Sequence, residues 1–249
     1  MDPHTLTPEQ VAAMAAAGSA SGRSVLLIIS LVLGVGITFL DSRRWPITLW
    51  QRVMFFQSVF VGGLAGSILP GFFAGGLVES QARQGTLSPP RSILGALVGG
   101  FVGALLFKKI GKYTFDTSDA FARGTCVAMI VGRLGCFAGH CCVGRPSHVF
   151  GMDLGDGVPR FPSQLAEVAF MTCVLVLILW LHHKDLLGDR RFFLLVALYG
   201  LGRIFLELLR APVGGMVYGL WSYQWFALGL LLFGGFHVVK RTLAQRAAV

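Results

Sequence analysis

The sequence predicts an all-α membrane protein of seven transmembrane helices, with the N-terminus periplasmic and the C-terminus cytoplasmic. Three observations carry that expectation. Hydrophobic residues make up 54% of the 249 and charged residues only 13%, against about 25% charged in a typical soluble domain. Mean hydropathy is +0.69. Seven apolar stretches, near 24–40, 53–77, 92–108, 117–138, 164–181, 192–210 and 218–238, have close to the length needed to cross about 30 Å of hydrocarbon. A soluble bundle of seven buried helices would need amphipathic surfaces, which these stretches lack.

Charge placement sets the orientation. With the C-terminus inside, the cytoplasmic segments carry Arg43, Arg44, Arg52, Lys108, Lys109, Lys112, Lys184, Arg190, Arg191, Lys240, Arg241 and Arg246. The opposite side holds Arg23, Arg83, Arg91, Arg145, Arg160 and Arg210. Every lysine then lies inside, as the positive-inside rule requires. The net charge of +9 therefore serves orientation, and no nucleic-acid partner is expected.

The segments follow in order. Residues 1–23 form an N-terminal tail, a frayed end or a short surface helix. With Asp2 and Glu9 but no basic n-region, they do not read as a cleaved signal peptide. Residues 24–249 form one membrane domain. Spans two and three concentrate small residues (Gly62, Gly63, Gly66, Gly71, Gly75 and Gly76, then Gly95, Gly99, Gly100 and Gly103), which predicts close helix packing. Pro70 predicts a kink or break in span two. Pro89-Pro90 marks the connection from Glu79 to Arg91 as an abrupt start to span three. The longest external connection, Gly139 to Ser163, is rich in Gly, Pro, His and Asp, and Asp153 and Asp156 read as turn formers there.

Span six carries the most telling pair. Arg203 and Glu207 sit four residues apart within the apolar run from Phe192 to Leu209. Tyr199 precedes Arg203 by one turn and Arg210 follows Glu207, which makes a polar stripe on one helix face. Each charge costs at least about 2.5 kcal/mol at mid-membrane, so such groups are functional candidates. Span four ends in a second polar cluster, from Gly132-Arg133 through His140-Cys141-Cys142 to Arg145-Pro146. The predicted orientation puts Arg133, Arg203, Glu207 and Arg210 at comparable depth in the outer half of the membrane. There a phospholipid phosphate is the anion that planar guanidinium forks suit. A plain structural pairing of Arg133 with Glu207 is the competing expectation.

Four stretches resemble the prolipoprotein diacylglyceryl transferases of bacterial inner membranes. Gly132-Arg133-Leu134-Gly135 resembles the start of the family signature Gly-Arg-x-Gly-Asn-Phe-x-Asn-Gly-Glu. Pro162-Ser163-Gln164-Leu165-Ala166-Glu167 is similar to its Pro-Ser-Gln-Leu-Tyr-Glu. Tyr199-Gly200-Leu201-Gly202-Arg203, with Glu207 and Arg210, resembles its Tyr-Gly-x-x-Arg-x-x-x-Glu-x-x-Arg helix. Ser222-Tyr223-Gln224-Trp225 resembles its Ser-x-Gly-Gln-Trp, one residue short. The resemblance implies transfer of diacylglycerol from phosphatidylglycerol to a lipobox cysteine thiol of a prolipoprotein, with release of glycerol phosphate, in the bacterial inner membrane. It implies that Arg133 and Arg203 hold the lipid phosphate, that Glu207 supports the polar network and that Arg210 flanks it, with Tyr199 and Gln164 on the substrate side. This chain departs from the pattern at several places. Cys136 and Gly139 replace the signature asparagines and Cys141 its glutamate. The family's Gly-Gly-Arg on the second span reads Gly62-Gly63-Leu64, and its His-Gly-Gly-Leu has no counterpart in Ile93-Leu94-Gly95-Ala96-Leu97.

His140 is the candidate replacement base, with an intrinsic pKa near neutrality. Cys141 is the candidate thiol of the site. Cys136 with Cys141 or Cys142 can close a disulfide on an oxidising face, and thiolates with an imidazole suit a soft metal. The spacing Cys-x-x-x-x-Cys-Cys matches no zinc pattern, so no metal and no cofactor are assigned. Cys126 and Cys173, inside spans, read as packed hydrophobes. Two other functions remain open on the sequence: a non-catalytic phospholipid or small-anion binding or transport protein, and a thiol-dependent metal or redox membrane protein.

Overall fold

The structure, a computed structural model, describes residues 6–73, 93–211, 216–217 and 219–247. Eight helices are described: α1 (Pro8–Ala17), α2 (Ala20–Asp41), α3 (Leu49–Phe73), α4 (Ile93–Ile110), α5 (Ser118–Ala138), α6 (Ser163–His183), α7 (Arg191–Leu209) and α8 (Ser222–Ala247). Each of the seven predicted segments carries a helix, α2 to α8. Five of them, α2, α5, α6, α7 and α8, are long and apolar enough to cross a membrane. The protein is mostly helical and multi-pass. Outward faces are apolar, as lipid contact requires: Val25, Ile28, Val32, Val176, Phe205 and Phe236 are all more than half exposed.

The chain divides into two compact units, residues 44–116 and residues 1–43 with 117–249. The smaller unit is the α3–α4 hairpin. The predicted close packing is present there. A Cβ on Gly66 would stand 2.3 Å from the Gly95 carbonyl oxygen, and one on Gly99 would stand 2.1 Å from that of Gly62. Only a residue without a side chain lets the two backbones approach so closely. At the other end of the hairpin Trp45 packs edge-on against Phe55 at 5.0 Å, and Phe55 against Phe107 at 5.4 Å. α3 runs through Pro70 without a break. Gly75, Gly76 and the Pro89-Pro90 connection lie outside the described residues.

The larger unit pairs α2 with α5 and α7 with α8, and packs α6 against α5 and α7. Ser30 Oγ donates to the Ala128 carbonyl at 2.6 Å, tying α2 to α5. The leader is helical from Pro8, with a capping box: Thr7 Oγ1 accepts from the Gln10 N–H, and Gln10 Oε1 accepts from the Thr7 N–H. Met14 of α1 is buried against Val143, Leu154 and Ala211, so this short helix packs over the connection between α5 and α6. That connection is not a plain run of turns. Strands β1 (Met152–Asp153) and β2 (Pro159–Arg160) pair antiparallel around the Gly155-Asp156-Gly157 turn. Asp153 Oδ1 accepts from the N–H groups of Gly155 and Gly157, the expected turn role. Asp156 does more than turn the chain. Its buried carboxylate pairs with Arg160 at 2.7 Å. The last predicted segment also starts later than expected. Strands β3 (Met216–Val217) and β4 (Leu220–Trp221) form a hairpin, and α8 starts only at Ser222.

Candidate functional site

Three helices of the larger unit bring their charges to one place. α5 supplies Arg133, α6 supplies Glu167 and α7 supplies Tyr199, Arg203 and Glu207, all buried. Arg133 Nε lies 2.8 Å from Glu167 Oε1, and Arg203 Nη1 lies 3.3 Å from Glu167 Oε2. Arg203 Nη2 donates to Glu207 Oε2, so its fork bridges two carboxylates. Tyr199 Oη donates to Glu167 Oε1 at 3.4 Å. Arg210, the C-cap of α7, stands 3.9 Å from Glu207 Oε2. Three guanidinium groups face two carboxylates, which leaves one positive charge in excess. The donors are also incompletely used. Among the described residues Arg210 Nε, which is buried, has no hydrogen-bond partner, and Arg133 Nε, though close to Glu167, is too poorly aligned to make one. Buried donors without partners are rare in native proteins and call for an acceptor.

The connection after α5 folds back onto this cluster. His140 and Cys142 take positive φ values of 46° and 59°, a strained choice for residues with a Cβ. The result is convergence: the Sγ atoms of Cys136, Cys141 and Cys142 all lie within 4.8 Å of one another. All five cysteines are free thiols. The α6 N-terminus pins the loop from the other side. Ser163 Oγ donates to the Cys142 carbonyl at 2.8 Å and Gln164 Nε2 to the Cys141 carbonyl at 2.7 Å. Backbone bonds then stitch the loop to the end of α7: Ala211 N–H to Val143 O at 3.1 Å and Arg145 N–H to Leu209 O at 3.0 Å. Arg145 Nε also donates to the Arg210 carbonyl at 3.2 Å.

Most residues expected from the sequence therefore meet here. Arg133, Tyr199, Arg203, Glu207 and Arg210 share one cluster, and Gln164 and Cys141 meet at its border. His140 sits in the turn between them, its buried Nδ1 without a hydrogen-bond partner among the described residues. Two expectations need correction. Arg133 pairs with Glu167, not with Glu207, because α6 reaches the α5 arginine first and Glu207 is taken up by Arg203. Cys173 is exposed, in contrast to Cys126, which is fully buried. The residue the sequence reading passed over is Glu167, which touches Arg133, Arg203 and Tyr199. Its signal was present, because a carboxylate one turn into an apolar helix meets the same criterion that singled out Glu207.

Fold and site together define a class: a mostly helical, multi-pass membrane protein with a buried, net-positive arginine–carboxylate cluster beside three converging thiols. The chain belongs to the prolipoprotein diacylglyceryl transferase family, whose model matches residues 25–240. It is 30% identical over 151 residues to phosphatidylglycerol–prolipoprotein diacylglyceryl transferase 2 of Clostridium perfringens, covering 57% of this chain and 59% of that protein. It is 29% identical over 152 residues to the enzyme of the same name, without the numeral, from Clostridium tetani, covering 58% and 61%. The corresponding protein of Solidesulfovibrio magneticus is 32% identical over 209 residues, covering 76% of each chain. The chain thus spans about three fifths of the length of the two clostridial relatives.

Proposed function

We propose that this protein transfers the diacylglyceryl group of phosphatidylglycerol to a cysteine thiol of a prolipoprotein, releasing glycerol phosphate. The observation that carries the reading is the surplus positive charge at Arg133 and Arg210, each with a buried N–H that lacks a hydrogen-bond partner among the described residues. A phosphodiester monoanion supplies one negative charge and acceptor oxygens, which is what that arrangement lacks. Fixed guanidinium groups then stabilise the charge that develops on the departing phosphate in a site of low dielectric. Arg133, Arg203 and Arg210 hold the phosphate, and Tyr199 and Gln164 border the substrate. Glu207 holds the Arg203 fork in place. His140 and Cys141 belong to the thiol side of the reaction, with His140 as proton acceptor. The acceptor is a lipobox cysteine near the outer surface, and no nucleic acid takes part.

In this reading residues 24–249 form one membrane domain of seven spans in a bacterial inner membrane, N-terminus periplasmic and C-terminus cytoplasmic, with residues 1–23 as a leader. The seven helical segments and the lysine distribution support it. The names of the relatives favour transfer over passive lipid binding or transport. Purified protein incubated with headgroup- and acyl-labelled phosphatidylglycerol and a lipobox peptide should yield lipidated peptide and free glycerol phosphate. Absence of both products, beside an active relative, would refute the reading.

A further inference from the structure

We propose that Cys136, Cys141 and Cys142 form a zinc site whose open fourth position takes the acceptor thiol. The inference rests on the transferase reading and says how the acceptor thiol is activated. That reaction needs a thiolate, because a neutral thiol is a poor nucleophile with a pKa near 8.5. Glu167 and Glu207 are poorly suited to take its proton, since arginines occupy both. Three thiols stand beside them instead.

The geometry suits a metal better than a disulfide. A disulfide would use two of the three sulfurs and strand the third. Tetrahedral zinc with Zn–S bonds near 2.3 Å needs sulfurs about 3.8 Å apart. The three Sγ atoms lie within 4.8 Å of one another, so closure on an ion needs a contraction of at most about 1 Å. The loop that carries them is already formed. His140 and Cys142 hold positive φ values, and the Ser163 and Gln164 side chains anchor the carbonyls of Cys142 and Cys141. Among the described residues no fourth His, Cys, Asp or Glu joins the set. Three protein ligands and one open position is the arrangement of a catalytic zinc, not of a closed structural one.

The step balances without any redox partner. The acceptor cysteine loses its S–H proton, which passes to His140, as its sulfur binds the ion, which deprotonates a coordinating thiol outright. A sulfur lone pair then forms an S–C bond to the glyceryl carbon that carries the phosphate. The C–O bond breaks, and its electron pair leaves on the phosphate oxygen, where Arg133 and Arg210 receive the charge. The product thioether is a weaker ligand than a thiolate and leaves the position open again. Zinc remains Zn²⁺ throughout.

The test uses the full chain in detergent, purified without chelators or a metal-affinity tag, then stripped and reloaded with Zn²⁺ or Co²⁺. One zinc per chain is expected, with loss in C136S, C141S and C142S and retention in C173S. The Co²⁺ form should show thiolate-to-cobalt absorption that changes when a lipobox cysteine peptide is added and not when its serine counterpart is added. Failure of the wild-type protein to take up zinc would overturn the proposal, and so would preference for one copper(I) over zinc, or a cobalt spectrum indifferent to the cysteine peptide. Because these readouts need no turnover, zinc binding with a peptide-dependent spectrum but no lipid transfer would support the site and count against the transferase reading instead.

Discussion

Glu167→Gln is the sharpest perturbation the structure offers. It keeps the size of the side chain and removes one charge from the centre of the cluster. Glu167 and Arg133 are 3% and 8% exposed at their side chains, and 2.8 Å separates their facing atoms. Removing one partner of a buried pair costs about 3–5 kcal/mol, most of it from the charge left behind. Arg203 loses one of its two carboxylates but keeps Glu207, so the loss falls mainly on Arg133. Against a total stability of about 5–15 kcal/mol, a cost of that size is readily measured.

The substitution also raises the surplus positive charge from one to two. The variant should therefore gain more from an added anion than wild type does. Denaturant unfolding in neutral detergent should show Glu167→Gln destabilised by about 3–5 kcal/mol. Phosphatidylglycerol in the micelle should then recover more stability in the variant than in wild type. A cost below about 1 kcal/mol, the scale of an exposed ion pair, would refute the buried-pair reasoning. Equal recovery by the lipid in both proteins would refute the charge count.

Arg203→Lys replaces a fork that reaches Glu167 and Glu207 by separate nitrogens with one ammonium that cannot hold both. The loss of one charge-assisted bond, about 1.5–3 kcal/mol, should appear in unfolding midpoints and as at least a tenfold fall in transfer from labelled phosphatidylglycerol. Gly66→Ala puts a Cβ 2.3 Å from the Gly95 carbonyl and should cost about 1–3 kcal/mol as the α3–α4 hairpin spreads, seen as faster proteolysis of that unit. Gln164→Leu removes the bond to the Cys141 carbonyl, worth about 1 kcal/mol. It should speed maleimide labelling of Cys141 by about fivefold, and an unchanged rate would mean that Gln164 does not hold the loop.

How much of this was legible in the sequence varied with the range of the interactions. Helical segments were legible because span length follows from bilayer thickness, and the glycine runs of α3 and α4 announced their close contact. Arg203 and Glu207 were visible through their cost in an apolar run. Glu167 carries the same cost, but one turn into α6 a carboxylate also reads as part of a helix start, so only its arginine partners on two other helices single it out. The thiol convergence was also hidden. It depends on left-handed backbone at His140 and Cys142, which no local preference announces, and on hydrogen bonds from Ser163 and Gln164 more than twenty residues away. The β1–β2 and β3–β4 pairs, each two residues per strand, are too short to leave an alternating pattern.

In the proposed transfer, the two carboxylates of the cluster suit it to a reaction and not merely to a binding event. Three guanidinium groups without them would carry three buried charges, a burden that no single lipid phosphate could offset. With both present, one positive charge remains, matched to a phosphodiester monoanion in the ground state. As the C–O bond breaks, the leaving phosphate becomes a monoester and gains a second negative charge, since its last pKa is near 6. The site meets that second charge with a donor that the carboxylates have not consumed, the Nε–H of Arg210. Interactions held in reserve until charge develops favour the transition state over the bound lipid, and only such interactions speed the chemical step. On the proposed function, Glu167 and Glu207 act by limiting the field in the resting site, so that its strength is felt when the bond breaks.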